Sequence, residues 1–257
     1  MGNRAQTNAL SLIMLAITET PTSPNHHNPP YKAALRILFM PDILQNYKLI
    51  LASSSRYRQE ILNKLALNYE SIAPNIDEKP MPLEAADELV ARLALAKAKA
   101  VAVTLNAGTD ATTSATDPSI LQIASYLIAG SDQVAVIDHK VITKPHTHSN
   151  ACEQLRLASG RKVVFLTGLC LFNTYTGEHQ LAVVPYTVNF LQLTDVQIEN
   201  YLTREQPYDC AGSFKAEGLG ITLFESIQGD DPNTLMGLPL IELVKMLRKE
   251  GIDPLSQ

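Results

Sequence analysis

The sequence has no stretch approaching the roughly 20 apolar residues that a membrane-spanning helix needs. Its nearest candidate is ALSLIMLAIT, beginning at Ala9. Only one arginine precedes that stretch, and the following ETPTSPNHHNPP holds no small-x-small cleavage site, so a secretory leader is not expected. The start MGNRAQT misses the myristoylation pattern because Gln6 stands where Ser or Thr is required. These absences make the cytoplasm the expected location and leave no membrane partner to expect. No block of five or more like charges occurs either, and 21 Lys+Arg against 26 Asp+Glu give a formal charge of −5. Such a chain lacks the electrostatic footprint of a nucleic-acid-coating protein, so no nucleic-acid partner is expected. Cysteine is scarce: Cys152, Cys170 and Cys210 are odd in number and never in a CxxC arrangement, so neither a disulfide framework nor a zinc site is indicated. His26-His27 and His146-Thr147-His148 lack further ligands at metal-site spacing, so a metal held mainly by histidine is not expected. Also missing are GxxxxGK[ST] and GxGxxG, which excludes a P-loop and a Rossmann dinucleotide site.

What is present can fill a substantial core: 46% of the 257 residues are hydrophobic. Residues 18–34 concentrate Pro, Asn, Thr and His, a linker composition that buries too little surface to order itself. The expected division is therefore an N-terminal extension over 1–47 and one folded domain over 48–257. Met40 stands just before that boundary, which suggests a natural start there and a dispensable segment over 1–39. Residues 104–126 are mostly small and polar and read as a surface insertion.

From Lys48 the pattern alternates. KLILA suits a buried strand, and Arg58, Ile61, Leu62 and Leu65 follow at helical spacing. LEAADELVARLALAKAKAVAV predicts a helix with Leu89, Leu93, Ala96 and Ala100 on one face, acidic residues early and Lys97 and Lys99 late. LIAGSDQVAVID is an apolar run interrupted in its middle. KVVFLTGLCLFN and QLAVVPYTVNFL flank the turn TYTGEH and predict a long antiparallel pair. GLPLIELVKMLRKEGIDP predicts a last helix with Leu240, Leu243, Val244 and Leu247 on one face and Gly251 and Pro254 at its end. The fold class that follows is α/β, a single domain on a mixed sheet flanked by helices.

Two places could carry chemistry. In LILASSSRYRQEIL, three serines and two arginines stand where a strand turns into a helix. Unsatisfied N–H groups at such a turn, with hydroxyls and a guanidinium beside them, suit a phosphate. A serine N-cap with solvated arginines accounts for the same residues. GSDQV sets Asp132 inside an otherwise apolar strand, where a carboxylate must meet a cation, a metal or a proton-transfer task. Lys97 and Lys144 add positive charge suited to phosphate oxygens, and SFKAEGLGI and GDDPNTLMGLP add polar loops.

These motifs in order, together with IAPNIDE, RLALAKAKA, ITKP, ASGRKVVFLTGL and DCAGSFKAEGLGITLFESIQ, resemble the Maf-like nucleoside triphosphate pyrophosphatases from about Leu49 to Leu255. The resemblance implies the strongly twisted mixed sheet of the Maf/inosine-triphosphatase-like fold. It implies hydrolysis between the α and β phosphates of a nucleotide with a divalent metal cation (Mg2+, Mn2+ or Co2+); the sequence does not fix the oligomeric state, for which a homodimer is one expectation. Carried onto this chain, Asp132 matches the proton acceptor, and Ser53, Arg58, Lys97 and Lys144 match positions associated with the phosphates. Glu78 is a further candidate metal ligand beside Asp132, or a plain surface carboxylate. Arg56 stands where the family usually has proline and Gln59 where a second arginine is frequent. The insertion and the N-terminal segment fall outside the pattern.

Tyr57, Gln133 and Glu217 resemble the aromatic, Gln and Glu of the branch acting on 7-methyl-GTP, rather than the Arg, Thr and Gln of the dTTP/UTP branch. N7 methylation makes guanine cationic, and a cationic flat base is attracted to an aromatic face by ~1–2 kcal/mol. A carboxylate accepts hydrogen bonds from the paired N–H donors on guanine's Watson–Crick edge and offsets its charge. Tyr57 packing and Glu217 pairing with Lys215 is the plainer reading. Removal of modified nucleotides from the pool is the implied role. A dTTP/UTP pyrophosphatase and a nucleotide-sensing regulator of cell division are the alternatives.

Overall fold

The computed structural model describes residues 47–109 and 125–256. The segment 1–46, and with it the proposed start at Met40, lies outside the described residues, as does 110–124 within the expected insertion. The strands are β1 (Tyr47–Ala52), β2 (Tyr69–Ser71), β3 (Ser125–Ile137), β4 (Lys140–Ile142), β5 (Lys162–Asn173), β6 (His179–Phe190) and β7 (Phe224–Gln228). The helices are α1 (Arg56–Leu62), α2 (Ala86–Thr109), α3 (His148–Ala158), α4 (Asp195–Glu205) and α5 (Leu240–Lys249). The strands form a mixed sheet in the order β2-β1-β3-β5-β6-β7, with β4 also paired to β3. β1 runs parallel to β2 and β3, and the remaining pairs are antiparallel. The α/β class and the β5–β6 hairpin are as the sequence predicts.

Successive side chains along β3 point to opposite faces. On one face Ile128 packs with Ala94 and Ala98 of α2, and Val134 packs with Leu89, Val90 and Leu93. On the other, Leu127 and Ala129 join α1 and α5 through Ile61, Leu62, Leu243 and Leu247, while Ala135 and Ile137 join α3 and α4 through Leu155, Ile198 and Leu202. Helices thus cover both faces, which is why β3 reads as an apolar run rather than an alternating one.

α2 lies unusually close to the sheet. A Cβ on Gly130 would run into the Ala94 carbonyl, and one on Gly168 into the Val90 carbonyl. This approach places the buried stripe of α2 on Val90, Ala94, Lys97, Ala98 and Val101 rather than on the predicted Ala96 and Ala100, which are only half-buried. Small residues on the helix and glycines in the strands let backbones meet where larger side chains would hold them apart. α2 also continues to Thr109 and β3 begins at Ser125, so both ends of the expected insertion are regular structure.

Candidate functional site

β3 has a gap along one edge. β1 pairs with it from Ser125 to Gly130, and β4 from Ala135 to Ile137. Among the described residues, Ser131 to Val134 therefore have a strand neighbour on the β5 side only, where Asp132 faces Gly168. The gap opens where the parallel strand β1 ends and the chain turns into α1. In α/β sheets, ligands gather in such crevices, beyond the carboxyl ends of parallel strands.

Asp132 points to the α2 face, like Gly130 and Val134. Because α2 sits against the two glycines, Lys97 reaches down beside it: Nζ donates to Asp132 Oδ1 at 2.6 Å and lies 2.9 Å from Glu78 Oε1. Lys97 and Asp132 are both buried, at 5% and 7% exposure, and Glu78 is open to solvent. A buried ammonium between two carboxylates satisfies the demand that a charge inside a protein be paired. Both carboxylates offer oxygen, the donor type a hard cation such as Mg2+ takes, and the point between them is held by the Lys97 ammonium.

Arg58 reaches the same gap from α1. Its Nη1 donates to the Ser131 carbonyl at 3.0 Å and its Nε to the Gly237 carbonyl at 2.9 Å. The residue is half-buried, and burial lowers its pKa from the ordinary arginine value, while the charges of Asp132 and Glu78 oppose the shift. Gly237 has φ +92°, in the left-handed region, and a Cβ there would press on the guanidinium. Its carbonyl also accepts from Ser131 Oγ at 2.8 Å.

The serine cluster divides its labour. Ser55 is the N-cap of α1 and accepts from the Arg58 N–H. Ser53 is buried, and its Oγ accepts from the Ser55 N–H at 3.1 Å. As a hydroxyl it keeps a proton to donate. Arg56 is exposed and opens α1, a position whose N–H has no partner within the helix. Proline suits such a first helical position, and other residues, arginine here, are tolerated. Gln59 Nε2 donates to Ser71 Oγ at 3.2 Å, which ties α1 to β2.

Tyr57, the neighbour of Arg58, is half-buried and turned toward the loop after α4. Burial raises its pKa most; Cys210, Asp209 and Glu217 raise it further and Lys215 opposes them, so these groups share one neighbourhood. α4 holds the loop in place. The Tyr201 hydroxyl accepts from the Lys215 N–H at 3.0 Å, and Glu205 accepts from the Leu219 N–H at 2.9 Å. Phe214 is buried in edge-to-face contact with Phe165, Phe190 and Phe224 at centroid distances of 5.3, 5.6 and 4.9 Å. Glu217 itself is exposed.

Gln133 sits on the face opposite Asp132. Its amide nitrogen donates to Thr167 Oγ1 at 2.8 Å and to the Thr234 carbonyl at 2.7 Å, which fastens β3 to β5 and to the loop before α5. Lys144 is exposed between β4 and α3, and among the described residues no ion pair joins it to Asp132. The fold thus unites Asp132, Lys97, Glu78 and Arg58 and brings Tyr57 within electrostatic reach of Glu217; Gln133 binds the Thr234 carbonyl in the segment whose Gly237 carbonyl holds Arg58.

Sequence reasoning missed the scaffold: Tyr201, Glu205, Gly237 and Asp231. Buried Asp231 accepts from the Asn233 N–H and from the Ile241 N–H at the start of α5, both at 2.8 Å. GDDP, an acid before a proline and a helix, was the available signal. The fold also brings His148, Cys152 and Glu199 together as possible metal donors, where spacing alone had indicated no metal site.

Residues 48–250 match the model of the family described as "Maf-like protein". The chain is 52% identical over 203 residues to a 7-methyl-GTP pyrophosphatase of Nitrosococcus oceani, covering 79% of this chain and 93% of that protein. A protein of the same name from Pseudomonas savastanoi pv. phaseolicola is 51% identical over 205 residues, covering 80% and 97%. Another from Pseudoalteromonas translucida is 46% identical over 210 residues, covering 82% and 95%.

Proposed function

The chain belongs to the Maf-like protein family, and we propose that it is a nucleoside triphosphate pyrophosphatase that hydrolyses 7-methyl-GTP to 7-methyl-GMP and pyrophosphate. The observation that carries the reading is the buried Asp132–Lys97 pair beside the gap in β3, with Arg58 and Glu78 around it. The names of the relatives, at about half identity, support the substrate.

In this reading Asp132 accepts a proton from the attacking water. Ser53, Arg58, Lys97 and Lys144 bind the phosphates; Lys144 stands exposed between β4 and α3. Asp132 and Glu78 would hold the divalent cation, which would neutralise charge on the phosphate oxygens. Phosphoryl transfer depends on such positioning and neutralisation more than on covalent catalysis. Tyr57 stacks on the methylated base and Glu217 accepts from its N–H donors, while Gln133 holds the floor on which they meet. The two neighbourhoods are linked through one turn of α1, in which Tyr57 and Arg58 are adjacent.

The activity resides in the domain over 48–257, so removing 1–39 leaves it intact. The enzyme works in the cytoplasm without nucleic-acid or membrane partners; no helix among the described residues is long and apolar enough to cross a membrane. A homodimer completes the reading, and sedimentation of the purified chain tests it. Product analysis tests the reaction: 7-methyl-GTP with a divalent cation should yield the monophosphate and pyrophosphate in equal amounts. A diphosphate and orthophosphate, or binding without turnover as a nucleotide sensor would show, would overturn the reading.

A further inference from the structure

His148 opens α3 and Cys152 follows one turn later, so both side chains stand on one face of the helix. α4 presents Glu199 to that face. His148 Nε2 lies 3.0 Å from Glu199 Oε2, and Cys152 Sγ lies 3.8 Å from the same oxygen. One donor atom from each residue falls within 4.8 Å of the others. Metal–ligand bonds of about 2.0–2.3 Å set tetrahedral donors roughly 3.3–3.8 Å apart, so small side-chain movements close the set around one ion.

Two further features fit. The Tyr208 hydroxyl lies 3.0 Å from His148 Nδ1, the partner that fixes a ligating imidazole and turns its other nitrogen to the metal. Cys152 is buried while His148 and Glu199 keep 41% and 59% of their side-chain surface exposed, so the side away from the sulfur is open for a water as fourth ligand.

We propose that His148, Cys152 and Glu199 bind a divalent transition metal of the zinc class and clamp α3 to α4. Nitrogen, sulfur and carboxylate oxygen together select zinc, cobalt or nickel over Mg2+, whereas Asp132 and Glu78 offer oxygen alone. On binding, the ion takes the sulfur of Cys152 and the thiol proton passes to solvent. Glu199, which accepts from His148 and the thiol, turns one oxygen to the ion.

Co2+ added to the full chain is the test. One equivalent should produce a near-ultraviolet thiolate-to-cobalt band, and Zn2+ should remove it. Cys152→Ser should lack the band; Tyr208→Phe should keep it with affinity lowered about tenfold. Asp132→Asn should keep it unchanged, which separates this site from the phosphate end. If Cys152→Ser fails to melt like the metal-free parent, His148→Gln carries the test through an affinity loss of the same order or greater. Absence of the band, its persistence in Cys152→Ser, or its removal by excess Mg2+ would overturn the site.

Discussion

Asp132 and Lys97 depend on one another at the scale of single side chains. Asp132→Asn should lower kcat by about 10²–10⁴ while the melting curve stays cooperative, because Glu78 still pairs with the Lys97 ammonium; substantial remaining turnover would remove it from the role of proton acceptor. Lys97→Ala should instead act on the fold as well. It leaves a buried carboxylate without its ammonium, a change that costs roughly 3–5 kcal/mol, and chemical denaturation should show the loss. Glu217 is exposed and outside this pair, so Glu217→Gln should reduce discrimination between 7-methyl-GTP and GTP more than it slows hydrolysis, read as a ratio of kcat/KM values.

Asp132 was legible in the sequence because an acid within an apolar run needs a reason. Lys97 reads in the sequence as a helix charge suited to phosphate, and nothing in its spacing points to Asp132. Their meeting depends on Gly130 and Gly168, distant in sequence and joined across β3 and β5. Gln133 shows the reverse: its neighbour in sequence is the candidate base, yet the pleat of β3 sends it to the other face.

Among elements, the approach of α2 to the sheet sets the site. Gly130→Ala or Gly168→Ala should push the helix outward and cost about 1–3 kcal/mol. Activity should fall as well, since Lys97 moves with the helix; an unchanged kcat in a destabilised variant would show that α2 does not position the site. The loop carrying Glu78 is tied to the same helix by Arg92, which donates to Glu84 at 2.5 and 2.8 Å and to the Lys79 carbonyl at 3.2 Å. The Arg92 hydrogen bond holds the Glu84 carboxyl at about 2, below its ordinary 4.5. A depressed folded-state pKa adds stability above the unfolded value that is lost as pH falls toward the folded one. The difference in melting temperature between the parent and Glu84→Gln should therefore be present near neutral pH and fade between about 4.5 and 2. The long helices and strands were readable from periodicity. α3, α4 and the short strands β2, β4 and β7 were not, since their apolar residues are few and their partners lie far along the chain.

At the scale of the whole molecule, the substrate's two ends are proposed to lie in different places: the phosphates in the charged gap in β3, and the base against Tyr57 and the α4-supported loop that carries Glu217. The order of motifs along the sequence indicated the family, whereas the gap exists only once β1 and β4 take opposite ends of one strand edge. The central claim is that one site both cleaves at the α–β anhydride and selects a cationic base. Pyrophosphate release from equal concentrations of 7-methyl-GTP, GTP, UTP and dTTP tests it most directly. The methylated nucleotide should be turned over at least about tenfold faster than the others, the discrimination that a cation–π contact with Tyr57 and the Glu217 charge together supply. Equal rates on all four, or a preference for dTTP or UTP, would contradict it.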